Sequence, residues 1–232
     1  MSLTDEVLRT MGEGLNDPSI FKAVFLAGGP GSGKSFVTKH STGGLGLKVI
    51  NSDDQLVHLR KKAGLSIKMH NLSAADAKDN DVIRLKAKAL TDILHGNFLV
   101  GRLGVIIDGT GKNYKKLKEA RKFFHTLGYD TSMIFVNTTE EAAQKNNIER
   151  EKSVPPKLVT KGWEEVQKNM GKFQSLFGDK NFHIIDTSQP LTPKSPVFTK
   201  LWKKIKAFAN MPVHNPIAKK WIEDEKILRK AK

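Results

Sequence analysis

The stretch that most constrains the fold is LAGGPGSGKS at residues 26–35, in which glycine, lysine and serine follow the spacing G-x-x-x-x-G-K-S. It comes directly after a short apolar run, FKAVFLA at 21–27, and before a segment of helical character at 34–41. An apolar run that ends in a glycine-rich turn predicts a buried strand. The stretch therefore predicts a strand, a tight glycine loop and a helix in direct succession.

The loop has the composition of a site for phosphate groups. Glycines let backbone N–H groups turn inward, the start of the following helix adds positive potential, and a lysine can reach the outer phosphates of a nucleoside triphosphate. We expect a nucleotide-binding loop made of Gly28, Gly29, Pro30, Gly31, Ser32, Gly33, Lys34, Ser35 and Phe36. Lys34 is also expected to act in catalysis, and the hydroxyl of Ser35 to coordinate Mg²⁺.

Four further apolar runs predict the remaining strands of a sheet, at 47–51, 103–108, 132–137 and 182–186. Helical periodicity lies between them, and strands that alternate with helices favour a mostly parallel sheet covered on both faces. The expected fold is an α/β three-layer sandwich of the P-loop NTPase type, with a five-stranded, mostly parallel sheet and a C-terminal helical tail.

Local signals also predict where several helices begin and end. Ser73, with an acidic residue three positions on, predicts a helix start, and Gly96 predicts the end of that helix. Thr138, followed by Glu141, predicts the cap of another helix that runs to about Lys152. A further helix is expected to start at the Pro155–Pro156 break and to carry Trp163, Val166 and Met170 along its length.

The 232 residues are enough for one α/β domain with an appendage. We expect a helical lead-in at 1–20, a nucleotide-binding P-loop domain at 21–189 and a basic helical extension at 190–232. The chain has no cysteine, which excludes disulfides and thiolate metal sites. No apolar run approaches the ~20 residues that span a bilayer, and the first residues lack the apolar core of a secretory leader. We therefore expect a cytoplasmic protein.

Basic residues outnumber acidic ones, and the excess is concentrated near the end of the chain. The net charge is +15, and residues 191–232 hold ten lysines, one arginine and three acidic residues. An apolar stripe there comprises Val197, Phe198, Leu201, Trp202, Ile205 and Phe208, opposite Lys200, Lys203, Lys204 and Lys206. The stripe is expected to pack inside the protein. The charge favours a polyanionic partner such as nucleic acid, with simple solubility as the alternative.

Two carboxylates follow the second predicted strand in NSDDQL. Phosphoryl transfer to a hydroxyl needs a base or an orienting carboxylate beside the acceptor oxygen. We expect Asp53 to serve in this way and Asp54 to lie in the same acceptor site. The alternative is a pair of acidic residues that only favour the start of a helix.

Asp108 ends the third predicted strand in VIIDGT. A carboxylate at that position in a P-loop protein holds Mg²⁺, usually through water, or orients the acceptor, whereas an ordinary strand-end aspartate only caps a turn. Lys112 is close enough in sequence to face the same acceptor.

The segment QKNNIEREKSVPP at 144–156 carries cations just before a proline break. Such a segment can close over a triphosphate and neutralise charge in the transition state. Arg150 is the expected cation, and a solvated helix face with Glu–Arg pairs is the alternative.

Taken together, these residues resemble the P-loop kinases of the branch that holds zeta-toxin-like kinases and the kinase domain of phage polynucleotide 5′-hydroxyl kinase. The resemblance covers about residues 21–186, and GGPGSGKS matches both groups. NSDD is similar to the Asn-x-Asp-Asp stretch of the polynucleotide kinases, in which the first Asp is the general base, and this implies that role for Asp53. IIDGTGKN is closer to the zeta pattern, which implies a substrate site with Asp108, Thr110 and Lys112.

The sequence departs from the polynucleotide kinase pattern at two places. Leu56 stands where an arginine grips the acceptor phosphate, and the next arginine is Arg60. Lys145 and Glu149 stand at lid arginine positions unless the register slips by one residue onto Arg150. The proteins that match both patterns resemble phage-encoded kinases.

The expected activity is an ATP- and Mg²⁺-dependent transfer of the γ-phosphate to a hydroxyl. A polynucleotide 5′-hydroxyl or a nucleotide is the favoured acceptor, and a nucleotide-sugar such as UDP-N-acetylglucosamine is the alternative. A second alternative is a catalytically weak ATP-binding structural or regulatory module that docks partners through its basic tail.

Overall fold

The protein is described by a computed structural model over residues 14–65, 74–149 and 154–230, without the side chains of residues 52–54 and 74–80. The described residues form, in chain order, β1 (Lys22–Ala27), α1 (Lys34–Ser41), β2 (Lys48–Ile50), α2 (Ser52–Lys62), α3 (Ala74–Val100), β3 (Val105–Asp108), α4 (Tyr114–Thr126), β4 (Asp130–Asn137), α5 (Glu140–Ile148), α6 (Pro156–Gln167), α7 (Met170–Phe177), β5 (Phe182–Asp186), α8 (Pro196–Ala209) and α9 (Pro216–Lys230).

The five strands form one parallel sheet in the order β2-β3-β1-β4-β5. This confirms the predicted α/β fold and all five predicted strands. β1 lies at the centre. β2 and β3 lie on one side of it, and β4 and β5 lie on the other. Ligands of open parallel sheets bind at the carboxyl ends of the strands where the direction of building reverses. In this chain that position lies between the loops that follow β1 and β3.

The side chains of β1 alternate between two cores, one on each face of the sheet, because successive residues of a strand point to opposite sides. Phe25 belongs to a cluster that also contains Phe124 of α4 and Phe173 of α7. Leu26 belongs to the other cluster, with Val37 of α1. All six residues of β1 are buried, so both faces of the sheet are covered next to the glycine loop.

The two C-terminal helices pack on opposite faces of the sheet. In α8 the apolar stripe is buried in the second cluster through Phe198, Leu201, Ile205 and Phe208, which confirms its expected packing role. In α9, Ala218 is buried in the first cluster, and Trp221 packs edge-to-face on Phe21 with ring centroids 5.5 Å apart. The residues from 196 onward therefore contribute to both cores.

One predicted helix end was wrong. Gly96 does not stop α3, which continues to Val100. Gly96 has no positive φ and its missing side chain faces open space, so it is tolerated inside an exposed helix. The chain turns instead at Arg102, whose φ is 55° and whose guanidinium donates to the Leu99 carbonyl at 2.9 Å. The predicted start at Ser73 lies outside the described residues.

Two further predicted boundaries also need correction. The cap of α5 is Thr139 rather than Thr138, since its hydroxyl oxygen accepts from the Ala142 amide at 3.2 Å. The described part of that helix ends at Ile148. The helix that starts at Pro156 stops at Gln167, and Met170 begins α7. Within the described ranges, every helix is too short or too polar to cross a bilayer.

Candidate active site

The glycine loop between β1 and α1 has a backbone that only glycine adopts readily. Gly31 has φ 75° and Gly33 has φ 79°, both in the left-handed region. A Cβ on Gly31 would lie 2.1 Å from the Ala143 carbonyl oxygen of α5, so the loop is also pressed closely against that helix. Gly33 caps α1 and faces open space, which leaves room in front of the helix N-terminus.

Three side chains donate hydrogen bonds to backbone carbonyl groups of the loop. Lys34 Nζ donates to the Gly28 carbonyl at 2.6 Å. Asn146 Nδ2 on α5 donates to the Gly31 carbonyl at 2.8 Å, and Thr187 Oγ1 after β5 donates to the Ser32 carbonyl at 2.9 Å. These hydrogen bonds brace the loop from α1, α5 and the end of β5.

The same loop offers donors that have no protein acceptor. Among the described residues, the N–H groups of Gly31, Gly33 and Ser35 have no hydrogen-bond partner. The Ser32 hydroxyl is buried without a partner within the described part of the chain, and a Cβ on Gly28 would lie 2.6 Å from it. Unpaired amides at a helix N-terminus attract anions. The residues present thus fit phosphate groups.

The Phe36 side chain turns away from the loop towards α8. Its ring lies 4.5 Å from that of His40 and 5.4 Å from that of Phe198, centroid to centroid. Any contribution of this residue to a phosphate site is limited to its backbone.

The ends of β2 and β3 meet the loop at one edge of the sheet. Asn51 Nδ2 donates to Asp108 Oδ2 at 2.9 Å, and the Gly28 amide donates to the Thr110 carbonyl at 3.0 Å. The parallel register places Asp108 beside Leu26, two residues before the loop begins. The structure therefore brings Asp108 and Thr110 next to the glycine loop, as expected for strand ends of a parallel sheet.

Asp53 and Asp54 lie in the first turn of α2, directly after Asn51. A small pocket of about 20 Å³ opens beside this turn, between β2, α2 and α3. Asn51, Gln55 and Thr91 are among its lining residues. The acceptor side of the predicted site thus combines amide and hydroxyl groups.

Leu56 and Arg60 on α2 both point into the protein. Leu56 is 2% exposed and Arg60 is 1% exposed. Neither side chain can therefore grip a phosphate of an acceptor that approaches from solvent.

Lys112 follows Gly111, whose φ of 76° turns the chain after β3. Asn169, buried before α7, donates through Nδ2 to the Gly111 carbonyl at 3.0 Å and to the Lys112 carbonyl at 2.8 Å. The Lys112 side chain runs towards α6, where Gly162 lies, and towards Pro30 of the glycine loop.

Hydrogen bonds join the helices at the two ends of the predicted lid segment 144–156. Gln144 Nε2 on α5 donates to the Pro156 carbonyl at 3.0 Å and to Thr160 Oγ1 at 3.1 Å. Trp163 Nε1 on α6 donates to the Thr138 carbonyl at 2.7 Å. Arg150, the expected cation of the lid, lies outside the described residues.

The described residues hold no group of three or more His, Asp or Glu side chains that could bind a metal ion. Mg²⁺ bound with a nucleotide needs only one or two protein ligands, because phosphate oxygens and water supply the rest. Ser35 in the first turn of α1 and Asp108 at the end of β3 suit this requirement.

Sequence reasoning missed the side chains that brace the site: Asn146, Asn147, Asn169 and Thr187. Asparagine and threonine are common in loops and helix ends, so nothing in the local pattern marks them. Their partners are carbonyl and amide groups that come near only in the folded chain. The recurrence of asparagine on α5, in NN at 146–147, is the one signal that was present.

The fold and the site define a P-loop protein with the architecture of a small kinase. The model of the AAA_33 family, described as an AAA domain, matches residues 24–173, from β1 into α7. The chain belongs to this family. A search of curated protein sequences found no match.

Solved structures with the same fold include the native AvrRxo1-ORF1:-ORF2 complex, with a TM-score of 0.56 and 14% identity over 96% of this chain and 82% of that chain. The same complex with ATP has a TM-score of 0.55 and 13% identity over 92% and 74%. The PezAT toxin–antitoxin system of Streptococcus pneumoniae has a TM-score of 0.49 and 14% identity over 98% of both chains. At these identities the likeness concerns the fold.

Proposed function

We propose that the protein is an ATP- and Mg²⁺-dependent phosphotransferase that moves the γ-phosphate to a hydroxyl group. The observation that carries the proposal is the braced glycine loop with unpaired amides, joined through Gly28 and Thr110 to the strand end that holds Asp108. A donor site and a carboxylate beside it are the minimum that phosphoryl transfer requires. The AvrRxo1 complex, which shares the fold, is known with ATP, and this supports ATP as the donor.

On the donor side, the loop from Gly28 to Phe36 binds the phosphates through its backbone amides. Lys34 neutralises charge on the outer phosphates, and Ser35 and Asp108 hold the metal. Bound ATP with Mg²⁺ supplies the phosphoryl group that is transferred. The contribution of the protein is positioning and electrostatic stabilisation, since both reduce the barrier without covalent chemistry.

On the acceptor side, Asp53 accepts or orients the proton of the attacking hydroxyl. Asp54, Asp108, Thr110 and Lys112 line the acceptor site around it. Two of these residues, Asp108 and Thr110, stand beside the glycine loop, which supports the assignment. Arg150 closes over the transferred group from the lid segment 144–156.

The acceptor is a polynucleotide 5′-hydroxyl or a nucleotide. The net charge of +15 and the lid resemblance favour this class, because cations bind phosphates of the acceptor. A nucleotide-sugar of the zeta type is the second candidate, favoured by the sequence IIDGTGKN around Asp108. The buried Leu56 and Arg60 weigh against a polynucleotide kinase grip on the acceptor phosphate, so another cation must serve a nucleic-acid acceptor.

We also propose that the exposed face of α8 binds a polyanion. Its lysines point away from the core in the pattern Lys200, Lys203, Lys204 and Lys206, while the opposite face is buried. Because α8 belongs to the core, charge substitution tests this idea better than truncation. Glutamine at these four lysines should weaken binding of a single-stranded oligonucleotide and reduce its salt dependence, whereas glutamine at Lys115, Lys116, Lys118 and Lys122 on α4 should not. Equal losses in both variants would contradict the proposal.

The activity is tested with γ-labelled ATP and Mg²⁺ against 5′-hydroxyl oligonucleotides, nucleosides and UDP-N-acetylglucosamine. Label should pass to one of these acceptors, and Asp53→Ala should abolish the transfer while Asp224→Ala, at an exposed aspartate of α9, leaves it unchanged. Transfer to the sugar nucleotide alone would select the second candidate. Tight ATP binding without transfer to any acceptor would favour a binding module instead.

A further inference from the structure

The end of the Lys112 side chain occupies the space that a side chain at Gly162 would fill. A Cβ on Gly162 would lie 2.8 Å from both Cε and Nζ of Lys112. The same Cβ would lie 2.8 Å from Cδ of Pro30, in the middle of the glycine loop. The Lys112 ammonium and the loop are therefore close neighbours, and the glycine in α6 is what gives them room.

The backbone of Lys112 is held in place independently of its side chain. Gly111, with its positive φ, would place a Cβ 2.7 Å from the Ala27 side chain, so the turn packs directly on the last residue of β1. Asn169, only 6% exposed, engages the carbonyls on both sides of the Gly111–Lys112 junction. This bracing fixes the direction in which the lysine leaves the chain.

The charge of Lys112 is not balanced inside the protein. Its ammonium has no hydrogen-bond or ion-pair partner within the described ranges, and the side chain is half-buried. A cation that is partly removed from water is stabilised by a nearby anion. The unpaired amides of Gly31 and Gly33, in the same loop as Pro30, prefer the same kind of ligand.

We infer that Lys112 contacts the terminal phosphate of the bound nucleoside triphosphate, and that Gly162 is a positioning residue that admits the lysine to the loop. The inference rests on the proposed triphosphate donor. It assigns Lys112 to the donor site and replaces the acceptor-site role proposed for it above. Lys34 approaches the loop from α1, near Gly28, and Lys112 approaches from the β3 side, near Pro30. Two ammonium groups on different sides of the terminal phosphate would stabilise the charge that develops on it during transfer.

The test compares the affinities of a non-hydrolysable ATP analogue and of ADP, each with Mg²⁺, by calorimetry. Lys112→Ala should weaken the ATP analogue about tenfold or more and leave ADP nearly unchanged, because only the analogue carries the contacted phosphate. Lys116→Ala, at an exposed lysine in the first turn of the following helix α4, serves as the control and should change neither affinity.

Gly162→Ala should lower the preference for the ATP analogue over ADP in the same way, since its methyl group displaces the lysine from the loop. Because that methyl group would also lie 2.8 Å from Pro30 Cδ, both affinities should fall somewhat as well. The double variant should lose no more of the ATP-to-ADP affinity ratio than Lys112→Ala does, because both substitutions remove the same contact. Gly171→Ala in α7 is the matched control, since a Cβ there meets nothing within 4 Å. Alanine favours helix over glycine, so both variants should fold, and their melting temperatures verify this.

Three outcomes would overturn the inference: equal losses for both nucleotides in Lys112→Ala, no loss of affinity for the ATP analogue in either single variant, or additive losses of the ATP-to-ADP affinity ratio in the double variant. If the unsubstituted protein binds neither nucleotide, the donor site itself is wrong and the proposed function falls with the inference. If the protein binds both nucleotides and shows the selective loss but phosphorylates no acceptor, the inference stands and the proposed function fails.

Discussion

Asn147 and Val154 pair side chain to backbone across the predicted lid segment. Asn147 Nδ2 donates to the Val154 carbonyl at 2.8 Å, and the Val154 amide donates to Asn147 Oδ1 at 2.9 Å. Asn147 is 1% exposed and Val154 is half-buried, so this pair of hydrogen bonds is partly shielded from water. The pair holds the end of α5 against the residues just before α6. Asn147 and Val154 flank Arg150 in the sequence.

We predict that Asn147→Ala releases the two ends of this segment. The substitution leaves the partly buried amide and carbonyl of Val154 without this partner, which costs about 1 kcal/mol. Limited digestion with trypsin should then cut faster at Arg150 or Lys152. Gln174→Ala, which removes a solvent-exposed bond to Asp179, is the control and should leave the cleavage rate unchanged. Unchanged cleavage in Asn147→Ala would show that the segment is held by other contacts.

Two glycines of the loop should respond differently to alanine. Gly33→Ala should cost about 1–2 kcal/mol of unfolding free energy from its left-handed backbone alone, since its Cβ meets nothing within 4 Å. Gly31→Ala should cost distinctly more, because its Cβ also collides with the Ala143 carbonyl. Urea denaturation measures both, and equal losses would mean that α5 does not press on the loop.

The ion pair between Lys22 and Asp130 should be asymmetric in its effect on stability. Lys22 Nζ lies 2.6 Å from Asp130 Oδ2, with the lysine side chain 1% exposed and the aspartate 28% exposed. Asp130→Ala leaves a buried ammonium without its partner and should lower the free energy of unfolding by about 3 kcal/mol. Lys22→Met leaves a carboxylate that water can reach, so its loss should be smaller. The order is checked by urea denaturation at neutral pH, and the reverse order would contradict this account.

Acid should destabilise the fold through His183 on β5. Burial, and then the charge of Lys204 on α8, lowers the pKa of His183 from 6.5 to about 4. The unfolded chain therefore binds the proton more readily, and stability falls as the pH drops from about 6.5 towards 4. His183→Asn should flatten the pH dependence of the urea midpoint in that window, whereas His214→Asn, at an exposed histidine, should not. An unchanged slope in His183→Asn would mean that folding does not lower the pKa of His183.

The strands and the glycine loop could be predicted because their signals are local. In β1 an unbroken apolar run leads straight into glycines, and both the burial of the strand and the turn follow from those few residues. Helix ends were harder. Gly96 carries the same local signal as Gly128, yet only Gly128 has a positive φ, of 92°, where the chain enters β4. The difference lies in what packs around each glycine, which the sequence does not display.

The braces of the candidate site could not be predicted for a related reason. Asn169 meets Gly111 across 58 positions of the chain, and Thr187 meets Ser32 across 155. Each contact depends on the sheet order, which places the loops after β1, β3 and β5 at one edge. The position of Lys112 beside Gly162 is a further case, because it needs the packing of α6 against the glycine loop.

The central claim is that the γ-phosphate passes to a hydroxyl acceptor and not to water. The most direct measurement follows ADP, phosphorylated acceptor and inorganic phosphate together by ³¹P NMR. It uses the acceptor that receives label from γ-labelled ATP. The account predicts one phosphorylated acceptor for each ADP formed, with almost no inorganic phosphate, and loss of both products in Lys34→Ala. Inorganic phosphate released in step with ADP, at a rate that no acceptor changes, would identify a hydrolase and contradict the account.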